Sequence, residues 1–189
     1  MGTVVARERL IALLASERAQ GMQVVFTNGV FDLLHLGHLR YLRQARQLGD
    51  LLVVGVNSDE STQRLKGPQR PLVPADERAE LLAALDCVDY VTIFGETTAE
   101  ATLSLLQPEV YVKGADYADG ANRQRDTLLT AEELRQALDA DADLGTRLPE
   151  ARIVADYGGT LALLAYLPGH STSDLIALIV ARYGPGSSD

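Results

Sequence analysis

The chain has 189 residues, 47% of them apolar, with 17 Lys+Arg against 26 Asp+Glu, one Cys and no Trp. That length fits one domain with a sizeable core, and the net charge of −9 without a Lys/Arg-dense run argues against any grip on a long nucleic-acid backbone, where several phosphates must be neutralised. No apolar run approaches the roughly 20 residues that span a bilayer, and the charged, periodic start from Met1 to Gln20 is unlike a leader, so a soluble, cytoplasmic protein with no membrane or nucleic-acid partner is expected.

In chain order, Val4, Val5, Leu10, Ile11, Leu13 and Leu14 recur at helical spacing up to Gly21, predicting a first helix with a glycine stop. Val24-Val25-Phe26, running into Thr27-Asn28-Gly29, reads as a buried strand. From His35 to Leu48 the apolar residues Leu39, Leu42, Ala45 and Leu48 oppose Arg40, Arg43 and Arg46, an amphipathic helix with a solvated basic face. Leu51 to Val56 is a second buried strand, and strand, helix, strand makes a right-handed βαβ unit. Ser61 to Pro74 is polar, carries Lys66-Gly67-Pro68 and Arg70-Pro71, and reads as a loop long enough to be functional. Pro74 opens a helix to Leu85, with Asp76, Glu77 and Glu80 near its positive end. Cys87 lies in an apolar stretch and is read as a buried thiol; alone it makes no internal disulfide and no Cys-based zinc site.

Tyr90 to Phe94 and Glu109 to Lys113 continue as strands around a helix starting near Thr98. Tyr117 to Glu150 is then polar and acidic, with a helix from Thr130 to Leu138 and no strand-like run; residues 118–150 are read as an insertion on the sheet edge and a candidate mobile segment within the single domain 1–189. Leu161 to Leu167 supplies a fifth strand, and Ser171 or Ser173 caps a last helix carrying Leu175, Ile176, Leu178, Ile179 and Val180. The alternation predicts an α/β, doubly wound, mainly parallel five-stranded sheet with helices on both faces.

In such sheets ligands sit beyond the strand C-terminal ends, where the strand order reverses. The polar residues at those ends are Thr27, Asn28, Gly29, Phe31, Asp32, His35, Gly37 and His38; then Asn57 and Asp59; then Lys113, Gly114 and Asp116; and, before the last helix, Ser171, Thr172 and Ser173. Two helix N-termini aimed at one crevice make an anion site, and phosphate is the natural guest. His35 and His38 share one side of the first turn, and Gly37 between them leaves the backbone approachable. A metal pair with Asp32 is the competing use of the two imidazoles, although Asp32 reads better as a brace for the turn. Ser171 to Ser173 serve equally as caps and as phosphate contacts. Lys113 either meets an acceptor phosphate or extends the strand end into solvent, and Asp116 is placed to hydrogen-bond ribose or acceptor hydroxyls.

The string Thr27-Asn28-Gly29-Val30-Phe31-Asp32-Leu33-Leu34-His35-Leu36-Gly37-His38 resembles the signature of the HxGH nucleotidyltransferase superfamily, a Rossmann-like fold similar to that of class I aminoacyl-tRNA synthetases. Asn57-Ser58-Asp59, Arg64-Leu65-Lys66-Gly67, Arg70-Pro71, Arg78, Val88-Asp89 and Val112-Lys113-Gly114-Ala115-Asp116-Tyr117 resemble the adenylyltransferase domain of the bifunctional heptose kinase/adenylyltransferases. The likeness covers Val24 to Tyr117 and resumes at Gly169-His170-Ser171-Thr172-Ser173. It implies transfer of AMP from ATP to a sugar phosphate, D-glycero-D-manno-heptose 1-phosphate in that family, with release of pyrophosphate.

On that resemblance His35, His38 and Lys66 are expected to be catalytic. Thr27, Asn28, Gly29, Phe31, Gly37, Asp116, Ser171, Thr172 and Ser173 are expected to hold the nucleotide, and Asp59, Arg78 and Lys113 the acceptor. Mg²⁺ is expected to arrive with ATP, with no metal site made of protein ligands alone. Homodimers or larger homo-oligomers are common in the family. Two departures matter: no sugar-kinase half is present in the sequence, so another protein is expected to phosphorylate the sugar, and 118–150 is longer than the family pattern and is placed to reshape the acceptor pocket. The alternatives are a cytidylyltransferase for glycerol 3-phosphate or another polyol phosphate, and a nucleotide-binding regulator without turnover.

Overall fold

Runs of β-branched and apolar residues at Val24–Gly29 (β2), Leu51–Asn57 (β3), Tyr90–Phe94 (β4), Val110–Gly114 (β5) and Thr160–Leu164 (β7) form the body of one sheet in the computed structural model, which describes residues 1–115, 125–141, 143–165, 167 and 169–184. These strands run parallel, in the order β4-β3-β2-β5-β7. The sheet has seven strands instead of the expected five. Thr3–Val4 (β1) pairs parallel with β4, and Thr127–Leu129 (β6) pairs antiparallel with β7. Both additions are edge strands of two or three residues, too short to leave a period in the sequence. Val4 therefore belongs to a strand, because the free edge of β4 takes its backbone: Thr3 N–H donates to Asp89 O at 3.0 Å and Val5 N–H to Val91 O at 2.8 Å.

Side chains alternate across the sheet, so each strand feeds two cores. On one face Phe26, Val53, Tyr111 and Leu161 pack with Leu10 and Leu14 of Arg7–Ala19 (α1), Leu103 of Glu100–Leu106 (α5), Leu134 of Ala131–Ala140 (α6) and Val154 of Glu150–Tyr157 (α8). On the other, Val25, Val54, Val112 and Ala162 pack with Tyr41, Leu42 and Ala45 of Leu36–Arg46 (α2) and with Ala79 and Leu82 of Ala75–Ala83 (α4). The chain is therefore doubly wound, and its strand order reverses between β2 and β5. Arg43 and Arg46, on the outer side of α2, pair with Asp86 and Asp89.

Three helices escape the sequence pattern. Asp59–Lys66 (α3) occupies the start of the expected loop; it is polar, and its start is fixed by Ser58 Oγ accepting from Ser61 N–H at 3.2 Å. Leu144–Arg147 (α7) is a single turn. α8 begins inside the supposed insertion and ends at Gly158, whose φ of 87° is the left-handed conformation that stops helices. α6 stands where the sequence put it, with a Thr130/Glu133 capping box. Leu134, Leu144 and Leu148 reach the core beside α8, so this stretch is packed against the sheet helices. The last helix, Thr172–Tyr183 (α9), buries no residue and exposes Leu178, Ile179, Val180 and Tyr183. Among the described residues no helix is long and apolar enough to cross a membrane.

Leu148 is fully buried. Leu148→Ala is expected to cost about 2 to 5 kcal/mol, read as a lowered urea midpoint; an unchanged midpoint would mean that this segment is detachable from the core.

Candidate active site

A cleft of about 570 Å³ opens over the strand ends at the β2/β5 reversal, where an open α/β sheet leaves a crevice. Its geometry starts in the turn after β2. Thr27 Oγ1 donates to Val112 O at 3.0 Å and lies 2.7 Å from Tyr41 Oη, which donates to the same carbonyl at 3.1 Å. Thr27 thus joins β2, β5 and α2 beneath the cleft and is fully buried, a position for holding the site together and not for touching a ligand. Asn28 lines the cleft, its Oδ1 accepting from Tyr111 Oη at 2.8 Å. Phe31 carries φ = 50°, a conformation costly for a bulky residue, and its ring stands edge-on to His38 at 5.3 Å. A Cβ at Gly29 would come within 3.0 Å of that ring.

The imidazoles of His35 and His38 stack at 3.8 Å between centroids and 23° between planes. His35 is the N-cap of α2, its Nδ1 accepting from His38 N–H at 3.3 Å. His38 lines the cleft, whereas His35, stacked on it, does not. Gly37 fits this arrangement differently from its expected role: a Cβ there would meet the His35 ring at 2.9 Å and His170 O at 3.0 Å. The glycine lets the His35 ring and the segment before α9 close on α2, which brings the two helix starts together. Ser171 caps α9, its Oγ accepting from Asp174 N–H at 3.0 Å, while Thr172 and Ser173 line the cleft.

Burial, reinforced by the neighbouring His35, pulls the His38 pKa down to about 4, with the Leu33 carbonyl opposing. Burial also lowers His35, helped by His170 and opposed by Asp174. His38 is therefore neutral near pH 7, and its Nδ1 is buried without a hydrogen-bond partner.

The remaining predicted residues divide. Lys66, exposed at the end of α3, and Lys113, at the end of β5, both line the cleft. Lys113 is 9% exposed, sits 3.6 Å from Glu150 Oε1 and lies over the Tyr111 ring. Arg78 and Asp59 do not line it. Arg78 is 0% exposed, and its guanidinium donates to Val73 O, Val30 O, Asn57 O and, at 2.7 Å, Asp59 Oδ1. Those bonds occupy the fork and make the pair a brace beneath the wall, so the expected acceptor contact is not made in this arrangement. Asp32 Oδ2 accepts from Arg70 Nε at 2.6 Å, and its Oδ1 from the N–H groups of Leu72 and Val73, pinning the irregular stretch between α3 and α4. Asp116 lies outside the described residues.

Sequence reasoning missed Arg70, Thr97, Thr98, Thr146, Arg147 and Glu150 as cleft residues. The threonines at 97 and 98 follow β4, and the rule of strand ends applied there finds them. Thr146 to Glu150 sit in an acidic stretch with no period or motif to single them out.

With the geometry in place, the cytidylyltransferase-like family pattern matches residues 26–177, a span holding the turn, the stacked imidazoles and the start of α9. The chain belongs to the cytidylyltransferase-like family. It is thereby a nucleotidyltransferase homologue. It is 44% identical over 177 residues to the Bifunctional protein HldE of Trichlorobacter lovleyi, covering 94% of this chain and 31% of that one. It is 45% identical over 175 residues to HldE of Geobacter sulfurreducens, covering 93% and 30%. The chain thus spans about a third of the length of these curated relatives. The solved lipopolysaccharide core biosynthesis protein of Thermoplasma volcanium matches with 37% identity and a TM-score of 0.47 over 53% of this chain and 80% of its own.

Two measurements check this anatomy. Arg78→Met, which strands Asp59 and three carbonyls, is expected to cost about 3 to 5 kcal/mol in urea unfolding; a cost near zero would return Arg78 to the candidates for ligand contact. For His38, the unfolded imidazole titrates near the ordinary value and the folded one near 4, so acid favours the unfolded chain. The stability from keeping the ring neutral is complete above about pH 6.5 and is lost as pH falls towards 4, up to about 3 kcal/mol. His38→Gln is expected to flatten that part of the stability profile between pH 7.5 and 4.5, and an unaltered slope would rule it out.

Proposed function

We propose that the chain is an adenylyltransferase that joins AMP from ATP to a sugar phosphate, a heptose 1-phosphate first among the candidates, releasing pyrophosphate. The observation that carries the reading is the cleft's lining. In a chain of net charge −9, the described lining holds Lys66, Arg70, Lys113 and Arg147 against only Asp32 and Glu150, beside the start of α9 and a neutral His38. Fixed cations and oriented N–H groups at a reversal crevice suit two phosphorylated ligands. The resemblance of the motif strings from Asn57 to Tyr117 to the adenylyltransferase domain of the heptose kinase/adenylyltransferases favours ATP and a heptose phosphate over the cytidylyl alternative.

A phosphate oxygen of the acceptor, already an anion, forms the new bond to the α-phosphorus. The bond from that phosphorus to the bridging oxygen breaks, and its electron pair leaves with pyrophosphate, so no general base is needed. The obstacle is negative charge that must meet and then shift towards the leaving oxygens. Catalysis is then positioning and electrostatic stabilisation. His38, held by the His35 stack and the Phe31 edge, offers a neutral imidazole on the phosphate side. Lys66, at the exposed end of α3, supplies a solvent-facing cation, and Thr172 and Ser173 present hydroxyls and N–H groups. Asp32 spends its oxygens on Arg70 and two backbone N–H groups, which fits a Mg²⁺ carried by the nucleotide and water. When bound, that ion neutralises phosphate charge. An assembly of two or more copies completes the proposal.

Pyrophosphate release is the test, with ATP or CTP against a panel of sugar and polyol phosphates. Turnover is expected with ATP and an aldose 1-phosphate. Preference for CTP with glycerol 3-phosphate would replace this reading, and nucleotide binding without turnover would mark a regulator. His38→Ala is expected to fold and to lose about 100- to 1,000-fold in turnover; more than a tenth of wild-type activity would remove His38 from catalysis.

A further inference from the structure

The cleft has two walls, and they come from opposite faces of the sheet. α2, carrying His38, packs on the face of Val25 and Val112, with the start of α9 brought against it at Gly37. The facing wall comes from the starts of α5 and α8, which pack on the face of Phe26 and Tyr111. One buried carboxylate joins that second wall together. Glu150, 4% exposed, accepts from Ala99 N–H at 3.2 Å and pairs with Lys113 at 3.6 Å. It thereby ties α8, the loop before α5 and the end of β5.

The chemistry of this wall differs from that of the first. It carries Thr97, Thr98, whose hydroxyl donates to Glu100 Oε2 at 2.7 Å, and Thr146, with the Glu150 carboxylate and the cations Lys113 and Arg147. Arg147 is anchored at the rim, one guanidinium nitrogen 2.6 Å from Asp141 Oδ2. A guanidinium carries five N–H donors, and an arginine already anchored has less freedom to lose on meeting a ligand. Hydroxyls and a carboxylate spaced around fixed cations suit a ligand that is both polyhydroxylated and anionic. A bare phosphate would use the cations and leave the rest idle.

We propose that the segment Thr146 to Glu150, with Thr97, Thr98 and Lys113, is the acceptor subsite and takes an aldose 1-phosphate: Lys113 meets the phosphate, while Arg147 and Glu150 hydrogen-bond the sugar hydroxyls. This rests on the sugar-phosphate reading above and assigns its specificity to a stretch where the sequence showed no motif. Glu150 acts partly through Lys113 and is to that extent a positioning residue.

Calorimetry on the full chain tests it, with a non-hydrolysable ATP analogue as one ligand and, on the analogue-saturated protein, aldose 1-phosphates including mannose 1-phosphate, and inorganic phosphate. Wild type is expected to bind at least one aldose 1-phosphate more tightly than inorganic phosphate. Arg147→Met, at the exposed rim, is expected to weaken that sugar phosphate about tenfold or more and to leave the analogue within about twofold. Glu150→Gln keeps an oxygen for Ala99 and is expected to weaken the sugar phosphate alone. Unchanged sugar-phosphate affinity in Arg147→Met, a parallel loss of both ligands, equal wild-type affinity for inorganic phosphate, or no binding of any aldose 1-phosphate would overturn the assignment. Binding is read without turnover, so a wild type that binds selectively but releases no pyrophosphate sinks the transferase reading and leaves the subsite standing.

Discussion

At the reversal of the sheet the Val112 carbonyl accepts from both Thr27 and Tyr41. These bonds fasten the first strand of the βαβ unit, the strand across the reversal and the helix that carries His38. With that knot closed, the turn after β2 must leave the sheet abruptly, and Phe31 takes a left-handed backbone to do so. Its ring then supports the imidazole stack from one side. Thr27 is fully buried beneath the cleft and Tyr41 lines it, and the location of the cleft follows from their shared carbonyl.

Charge organises the next level. In this acidic chain the carboxylates at and beside the cleft are occupied. Asp32 is held by Arg70 and backbone N–H groups, Asp59 by Arg78, and Glu150 by Lys113 and Ala99. Each pairing also fixes a piece of backbone, so the electrostatics and the shape of the cleft are one arrangement. Burial keeps His38 neutral, so the α2 side offers hydrogen bonding without formal charge, and the positive charge of the lining comes from lysine and arginine side chains.

The two walls divide the labour by origin. The α2 wall and the start of α9 belong to the motif string that marks the family. The opposing wall draws on α7 and the first residue of α8, in the acidic stretch between the motif strings, as well as on Thr97, Thr98 and Lys113. Such an arrangement lets one wall vary while the other is kept.

Some of this was legible in the amino-acid order alone. Strands β2 to β5 and β7 announce themselves as apolar runs ended by turn residues, α2 by its three-residue spacing, α6 and α9 by their caps, and the polar residues at strand ends by the logic of parallel sheets. What the order could not carry was pairing at a distance. β1 and β6 exist because the edges of β4 and β7 have unpaired backbone groups to offer. Arg78 is expected to meet the acceptor until the three carbonyls and Asp59 that occupy it are seen, and Gly37 reads as room for a phosphate until the His35 ring occupies that room. Thr146, Arg147 and Glu150 have no local signal, because their meaning comes from the opposite side of the cleft. Local periodicity and capping are properties of neighbouring residues and survive in the sequence; burial, charge pairing and the facing of two walls depend on which distant backbones meet, and only the folded chain decides that.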